Sequence, residues 1–115
     1  MQVSRDQTGP GPIVTGFGPG GFRVGEERFR AVLLTVTDAV AWTPPPLDAL
    51  GIDDLAPLVA ARPEFILLGT GGSLRRPPLA LTRALDAAGL GIEPMDSRAA
   101  ARGWGVLRGE GRLVA

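Results

Sequence analysis

The segment from residue 65 to residue 96 constrains the fold more than any other part of the chain. It contains an apolar run, a glycine turn, a basic step with two prolines, a helical pattern and a second apolar run, in that order. A strand followed by a helix and another strand is the order of a βαβ crossover, in which the helix connects two parallel strands. The predicted elements are a strand at 65–68, a turn from residue 69, a helix at 77–88 and a strand at 92–95.

The N-terminal half of the chain predicts a β-meander. Short β-rich stretches at 13–17 and 22–24 flank a glycine turn, and residues 28–36 predict a longer strand that is apolar on both faces. A further strand at 40–43 is closed by three consecutive prolines at 44–46, because proline cannot donate to the ladder of a sheet. The meander therefore ends before the central crossover begins.

Helices are predicted on both sides of the crossover. Asp53 or Asp54 can cap a short helix at 55–61. Asp96 can cap a last helix that begins at the next residue. Gly103 and Gly105 weaken that helix by about 1 kcal/mol each relative to alanine, so we expect it to fray or bend there.

These elements predict the fold class and the domain organisation. We expect a single three-layer α/β domain around a mixed β-sheet, with an N-terminal β-meander and a central βαβ crossover, over residues 13–115. Residues 1–12 are predicted to be a flexible N-terminal lead-in, because this polar segment ends in Gly-Pro-Gly-Pro.

The residue types that the chain lacks exclude much of ordinary enzyme chemistry. Its 115 residues include no Cys and no His, and all twelve basic residues are arginine. The chain therefore has no thiol nucleophile, no imidazole base, no Schiff-base lysine and no Ser-His-Asp or Ser-Lys arrangement. We expect no catalytic residues, no metal and no cofactor.

Charge and hydropathy restrict the partners and the location. Twelve acidic residues balance the twelve arginines, which argues against nucleic acid as a partner. The chain has no apolar stretch of eighteen residues and no secretory h-region near Met1. We therefore expect a soluble, cytoplasmic protein without a transmembrane segment.

The glycine turn and the residues around it form the candidate ligand site. Gly69 and Gly71 have the spacing of a dinucleotide-binding turn, but Leu74 stands where the third glycine belongs, and the helix begins too late to hold a pyrophosphate. A weaker hypothesis is that Arg75 and Arg76 bind a carboxylate or phosphate ahead of a helix N-terminus. The competing interpretation is that the glycines only turn the chain and the arginines are solvated or paired. The candidate residues are Gly69, Thr70, Gly71, Gly72, Ser73, Arg75, Arg76 and Asp96.

The two tryptophans are the candidate partner-binding residues. Trp42 and Trp104 are each expected to anchor a core or an interface. Trp104 lies between two glycines, which favours an exposed position. Such a residue would suit a protein partner or a homo-oligomer.

Several motifs of the chain, taken in order, resemble one family. They are GPGGFRV at 18–24, LGTG at 68–71, RRPP at 75–78, GIEPMDS at 91–97 and AAAR at 99–102. Their order and spacing resemble the small domain shared by uncharacterised bacterial and archaeal proteins and by mitochondrial respiratory complex I assembly factor 3. The resemblance covers about residues 13–115.

The resemblance implies a three-layer α/β domain without established enzymatic activity. In the mitochondrial branch it also implies a partner-binding role in building complex I. This chain departs from the usual pattern at two places: Ala101 stands where relatives tend to have Cys, and Gly103-Trp104-Gly105 stands where they tend to have Thr-Tyr-Asn. An activity that needs that Cys or Tyr is absent from this chain.

Two hypotheses for function follow. The leading one is a non-enzymatic protein-interaction or assembly module whose partners, by the resemblance, include respiratory-chain subunits. The alternative is a small-anion-binding protein or an unusual enzyme that uses the crevice at the 69–76 turn. A closed apolar pocket that reaches Gly71 would favour ligand binding, whereas an exposed apolar patch around Trp42 or Trp104 would favour a protein partner.

Overall fold

The strands pair in separate antiparallel and parallel sheets in the computed structural model, which describes residues 11–115. Five N-terminal strands pair antiparallel, as a three-stranded meander and a separate hairpin: β1 (Val14–Gly18), β2 (Gly21–Val24), β3 (Glu27–Phe29), β4 (Val32–Leu34) and β5 (Ala39–Ala41). Two later strands pair in parallel: β6 (Phe65–Gly69) and β7 (Gly91–Met95). Three α-helices accompany them: α1 (Ala56–Ala60), α2 (Leu79–Ala87) and α3 (Ser97–Gly109).

The predicted fold class is confirmed. The chain forms a mixed α/β domain in which α2 connects the parallel strands β6 and β7, as the crossover predicts. The predicted lead-in at 1–12 lies mostly outside the described residues, and the domain limits of 13–115 remain a prediction. The carbonyl of Pro12, near the end of that segment, accepts a hydrogen bond from the Trp104 indole N–H at 3.0 Å.

The prediction of one long strand at 28–36 is wrong. The chain bends at Arg30 and Ala31, so β3 and β4 belong to different sheets. Phe29 in β3 pairs with Phe22 of the meander, whereas Leu33 in β4 belongs to the central core. Sequence analysis missed the bend because no glycine or proline marks it.

The core lies between β6 and the helices on one of its faces. Ile66 and Leu68 alternate along β6 and are buried, as expected for one face of a strand. Leu81 and Leu85, four residues apart on α2, are 1% and 0% exposed. Gly89 ends this helix with φ of +79°, and the Leu90 N–H donates to the Leu85 carbonyl across the turn at 2.9 Å. The core cluster is Leu33, Leu50, Leu55, Leu58, Ile66, Leu68, Leu81, Leu85, Leu90 and Ala115.

Residues 113–115 lie along the edge of β6 opposite β7. The Glu64 N–H donates to the Leu113 carbonyl at 2.7 Å, and the Leu67 N–H donates to the Ala115 carbonyl at 2.8 Å. The Glu64 carboxylate accepts three further hydrogen bonds, from the Arg112 Nε and Nη2 at 2.9 and 2.8 Å and from the Leu113 N–H at 3.2 Å. Glu64 therefore fastens this segment to the start of β6.

Helix α3 is continuous through both Gly103 and Gly105, so the expected fraying is wrong, and a bend there stays a prediction. Its buried face includes Ala100 and Trp104, which pack where α3 meets β6 and β1. The Asp96 cap is confirmed, since its Oδ1 accepts the Ala99 N–H at 2.8 Å. Tertiary packing and the cap together stabilise the helix more than Gly103 and Gly105 weaken it.

We expect the Gly105→Ala variant to be more stable than the parent by about 0.5–1 kcal/mol. A β-carbon at residue 105 would meet no atom within 4 Å, so alanine gains helix propensity without a steric cost. Urea unfolding followed by far-UV circular dichroism measures the difference. Gly89→Ala is the control and should lose stability, because its φ of +79° suits glycine. A Gly105→Ala protein that unfolds at lower urea than the parent would contradict this account of α3.

Acid should remove the contribution of Glu64 to stability. The hydrogen bond from Arg112, the Leu113 N–H and the Arg112 charge hold the pKa of the Glu64 carboxyl below its ordinary value. Its contribution is therefore complete above the pKa of the unfolded chain and is lost as pH falls through the lowered pKa of the folded state. We expect Glu64→Gln to be less stable than the parent at neutral pH and the gap to close on acidification. Unfolding curves from pH 7 to pH 3 measure this, with Glu26→Gln in an exposed turn as the control; a gap that widens in acid would refute it.

Candidate functional site

A reciprocal pair of hydrogen bonds joins the glycine turn to the start of α3. The Gly71 N–H donates to the Ser97 Oγ at 2.8 Å, and the Ser97 N–H donates to the Gly71 carbonyl at 2.8 Å. The Ser97 side chain is 5% exposed, so this link lies inside the protein. The turn therefore connects the end of β6 to the first residue of α3.

Thr70 stabilises the rest of the turn through hydrogen bonds of its N–H and its hydroxyl. Its N–H donates to the Met95 carbonyl at 2.8 Å, which extends the pairing of β6 with β7. Its hydroxyl donates to the Ser73 carbonyl at 2.7 Å and accepts the Arg75 N–H at 3.1 Å. The N–H and the hydroxyl of Thr70 are thus used within the protein.

Gly69 allows α3 to approach β6 closely. A β-carbon at this position would lie 3.0 Å from the Ser97 Oγ, 3.1 Å from the Ser97 Cα and 3.3 Å from the Ala100 Cβ. These distances are shorter than ordinary van der Waals contact. Gly71 meets no such neighbour, but its φ of +96° is a conformation that favours glycine. The two glycines are therefore needed for different reasons, one for space and one for backbone conformation.

The structure does not bring all the candidate ligand residues together. Asp96 caps α3 through its Oδ1, and Ser97 donates its N–H to Gly71, so the start of α3 has few N–H groups left for an anion. Arg75 and Arg76 are exposed on the segment that leads to α2. Among residues 11–115 neither forms an ion pair with Asp96 or with Glu64, whose salt bridge is to Arg112. Anion binding by these arginines remains a prediction.

A cavity of about 280 Å³ lies beside the turn. Of the candidate ligand residues, only Gly69 and Gly71 border it. The rest of its wall comes from the meander, β4, β6 and α3, with Trp42 and Pro44 after β5, Leu55 and Leu58 at α1, and Ala115. Its aromatic wall residues are Phe22, Trp42 and Trp104, and among residues 11–115 Ser97 supplies its only wall hydroxyl. The cavity is apolar and reaches Gly71, as the criterion for ligand binding requires, but it opens to the surface and does not include Arg75 or Arg76 in its wall.

The expectation that Trp104 is exposed is wrong. Its side chain is 2% exposed, because it lies on the same face of α3 as Ala100, where the helix packs against β6 and β1. Trp42 is half-buried and packs against the core cluster. The recurrence of Ser97, Ala100 and Trp104 at three- and four-residue spacing was the signal that could have placed Trp104 inside. A partner-binding role for the two tryptophans stays a prediction.

A second, more open depression of about 380 Å³ lies between α3 and β7, and we call it the α3–β7 groove. Glu93 is an exposed carboxylate within it. Its other borders are apolar or glycine. They are Phe65, Leu67, Gly91, Ile92, Met95, Gly103 and Leu107. The sequence analysis did not predict this groove, because it forms only when α3 packs across the parallel pair.

The described part of the chain provides little for metal chemistry. Within residues 11–115, no three Asp or Glu side chains lie together in a way that could hold a metal ion. The same residues contain no helix that is long and apolar enough to cross a bilayer. The described residues around α3 border an apolar cavity and an apolar groove, and each can accept an apolar group.

Substitution of Gly69 by alanine should lower the free energy of unfolding by about 1–3 kcal/mol, the usual cost of overpacking. The added β-carbon would push Ser97 and Ala100 away from β6. Thermal and urea unfolding measure the effect. Gly72→Ala is the matched control from the same turn, where a β-carbon meets nothing within 4 Å. Equal stability of the two variants would show that the close approach at Gly69 is unimportant.

Comparison with known proteins identifies the family. An uncharacterised protein of Rhodobacter capsulatus is 38% identical over 104 residues, which are 88% of this chain and 78% of the relative. A crystal structure of a Bordetella parapertussis protein is 33% identical, with a TM-score of 0.79 and 90% of each chain covered. A solution structure from Bordetella pertussis, described as a Mth938-like domain, is 26% identical with a TM-score of 0.73, covering 99% of this chain and 89% of that one. The family model described as protein of unknown function (DUF498/DUF598) matches residues 14–115, and the chain belongs to that family.

Proposed function

We propose that the protein is a non-enzymatic interaction module that binds a partner protein through the α3–β7 groove. The observation that carries the proposal is the groove itself, an open apolar depression on a chain that lacks the residue types of most catalytic sites. Exposed apolar depressions of this kind are typical of protein contact surfaces. The expected partner contributes an apolar segment that fills the groove.

The side chains around the groove indicate what the partner segment looks like. Phe65, Leu67 and Leu107 are only partly buried and offer apolar surface. Val106, next to Leu107 on α3, is 57% exposed. Glu93 forms no ion pair among the described residues, so it is available to a cation. We therefore expect a partner segment with apolar residues on one side and an Arg or Lys placed to meet Glu93.

The free edge of β7 argues against pairing with a partner strand. The Met95 carbonyl faces β6, where it accepts the Thr70 N–H, so the alternation of a strand directs Pro94 away from β6. Proline has no N–H, and the outer edge of β7 is thereby deprived of a donor. A helix or a loop in the groove fits this surface better than an added strand.

The resemblance to complex I assembly factor 3 supplies a partner class. We propose that the module contacts respiratory-chain subunits during assembly and acts in the cytoplasm. The support for this step is the resemblance of the motifs alone, together with membership in a family whose description is of unknown function. A second copy of the chain is the competing occupant of the groove.

Site-specific photocrosslinking in the host cell tests the proposal. A photoreactive phenylalanine analogue replaces Val106, beside the groove, and in a matched control it replaces Val40, an exposed valine on β5. We expect a protein adduct from position 106 and none from position 40. Mass spectrometry of the adduct then identifies the partner, and respiratory-chain subunits are the expected result.

The crosslinking results test the contact surface, the kind of partner and the assembly role separately. Absence of an adduct at position 106, or equal adducts at both positions, would overturn the groove as the contact surface. An adduct of twice the mass of the chain would replace the heterologous partner by a homodimer. An adduct with a protein outside the respiratory chain would keep the interaction module and reject the assembly role.

A further inference from the structure

We infer that the cavity beside the glycine turn is a binding site for a small carboxylic acid with an apolar body, such as a medium-chain fatty acid. The inference does not depend on the proposed function, because among the described residues the walls of the cavity and of the α3–β7 groove share only Leu67. It rests on three observations: the volume of the cavity, the chemistry of its wall and the charge on its border.

The volume of the cavity is sufficient for a small ligand, and part of the cavity lies among buried core residues such as Leu55, Ile66 and Leu68. An engineered apolar cavity of about 150 Å³ in another protein stays dry and takes up benzene. The cavity described here, at about 280 Å³, is nearly twice as large. It has room for a bicyclic aromatic molecule or a medium-length acyl chain.

The wall of the cavity favours an apolar occupant. It includes Val14, Phe22 and Leu34 on one side and Ile66, Ala101 and Trp104 on the other. The one hydroxyl oxygen that the described residues contribute to the wall, that of Ser97, already accepts the Gly71 N–H at 2.8 Å. Water in such a cavity would find few of the two to four polar partners that it needs. An acyl or aryl group fits the wall without leaving a polar group unpaired.

The border of the cavity carries one positive charge. Arg30 and Pro44 are both wall residues and both exposed, so the cavity reaches the surface between the bend after β3 and the proline segment. Arg30 forms no salt bridge among residues 11–115. Its guanidinium can pair with a carboxylate at the surface while the apolar body of the same molecule lies inside. This charge favours a carboxylic acid over a neutral apolar molecule.

Intrinsic fluorescence provides a direct test. Both tryptophans of the chain, Trp42 and Trp104, border the cavity, so an occupant should change their emission. The full chain is titrated with octanoate and separately with octanol, which has the same chain length and no charge. We expect saturable emission changes with both compounds and tighter binding of octanoate. Isothermal titration calorimetry on the same samples provides an independent binding constant.

Two variants with matched controls locate the binding. Ala101→Leu fills the cavity and should abolish binding of both compounds, whereas Ala99→Leu, on the same helix but outside the wall, should not. Arg30→Gln should weaken octanoate binding by about fivefold and leave octanol binding unchanged. Arg28→Gln, a second exposed arginine that does not border the cavity, should change neither. The Arg30 variant is a surface change, so it remains informative if Ala101→Leu fails to fold.

Three results would overturn the inference or its assignment of the carboxylate. One is a wild-type protein whose tryptophan emission and calorimetric heat are unchanged by both compounds up to millimolar concentration. The second is unchanged affinity of a folded Ala101→Leu protein, which would place the ligand elsewhere. Equal loss of octanoate binding in the Arg30 and Arg28 variants would overturn the assignment of the carboxylate to Arg30. None of these results bears on crosslinking at position 106.

Discussion

The reciprocal hydrogen bonds between Gly71 and Ser97 are the link on which the rest of the architecture depends. They join the carboxyl end of β6 to the first turn of α3, and the absence of a side chain at Gly69 leaves room for the helix to come this close. Once α3 is held there, Trp104 is directed into the interior and one wall of the cavity is complete. The same helix contributes Gly103 and Leu107 to the α3–β7 groove.

The same link occupies part of the backbone that a phosphate-binding turn would offer. A phosphate-binding turn offers several free backbone N–H groups that converge on the ligand. Here the N–H of Thr70 is bonded to the Met95 carbonyl, that of Gly71 to the Ser97 Oγ and that of Arg75 to the Thr70 hydroxyl. These three N–H groups are used within the protein. Anion binding at the turn stays a prediction, and the apolar cavity next to the turn is the better-defined feature for a ligand.

Local patterns in the sequence predicted the helix limits, which depend on interactions within a few residues. They failed for features that depend on contacts between residues far apart in the chain. The Leu81 and Leu85 spacing, the Asp96 cap and the Gly89 stop predicted α2 and the start of α3, because each acts within a few residues. The bend at Arg30 has no local signal, since it arises from two sheets that use adjacent segments. The cavity also has no local signal in the sequence, because its wall combines residues of the meander with residues of α3, and these two segments are far apart in the chain.

The segment Gly103-Trp104-Gly105 shows how helical geometry changes the meaning of a motif. Two glycines beside a tryptophan favour an exposed aromatic in an irregular segment, but in a helix successive residues are rotated by about 100° and meet different surroundings. Gly103 therefore faces Leu67 of β6, where its β-carbon would be 3.9 Å from the Leu67 Cδ1. Trp104 borders the cavity, and Gly105 meets open space. One short stretch thus supplies part of the groove, part of the cavity and part of the free surface, which is why the small residues flank a large buried one.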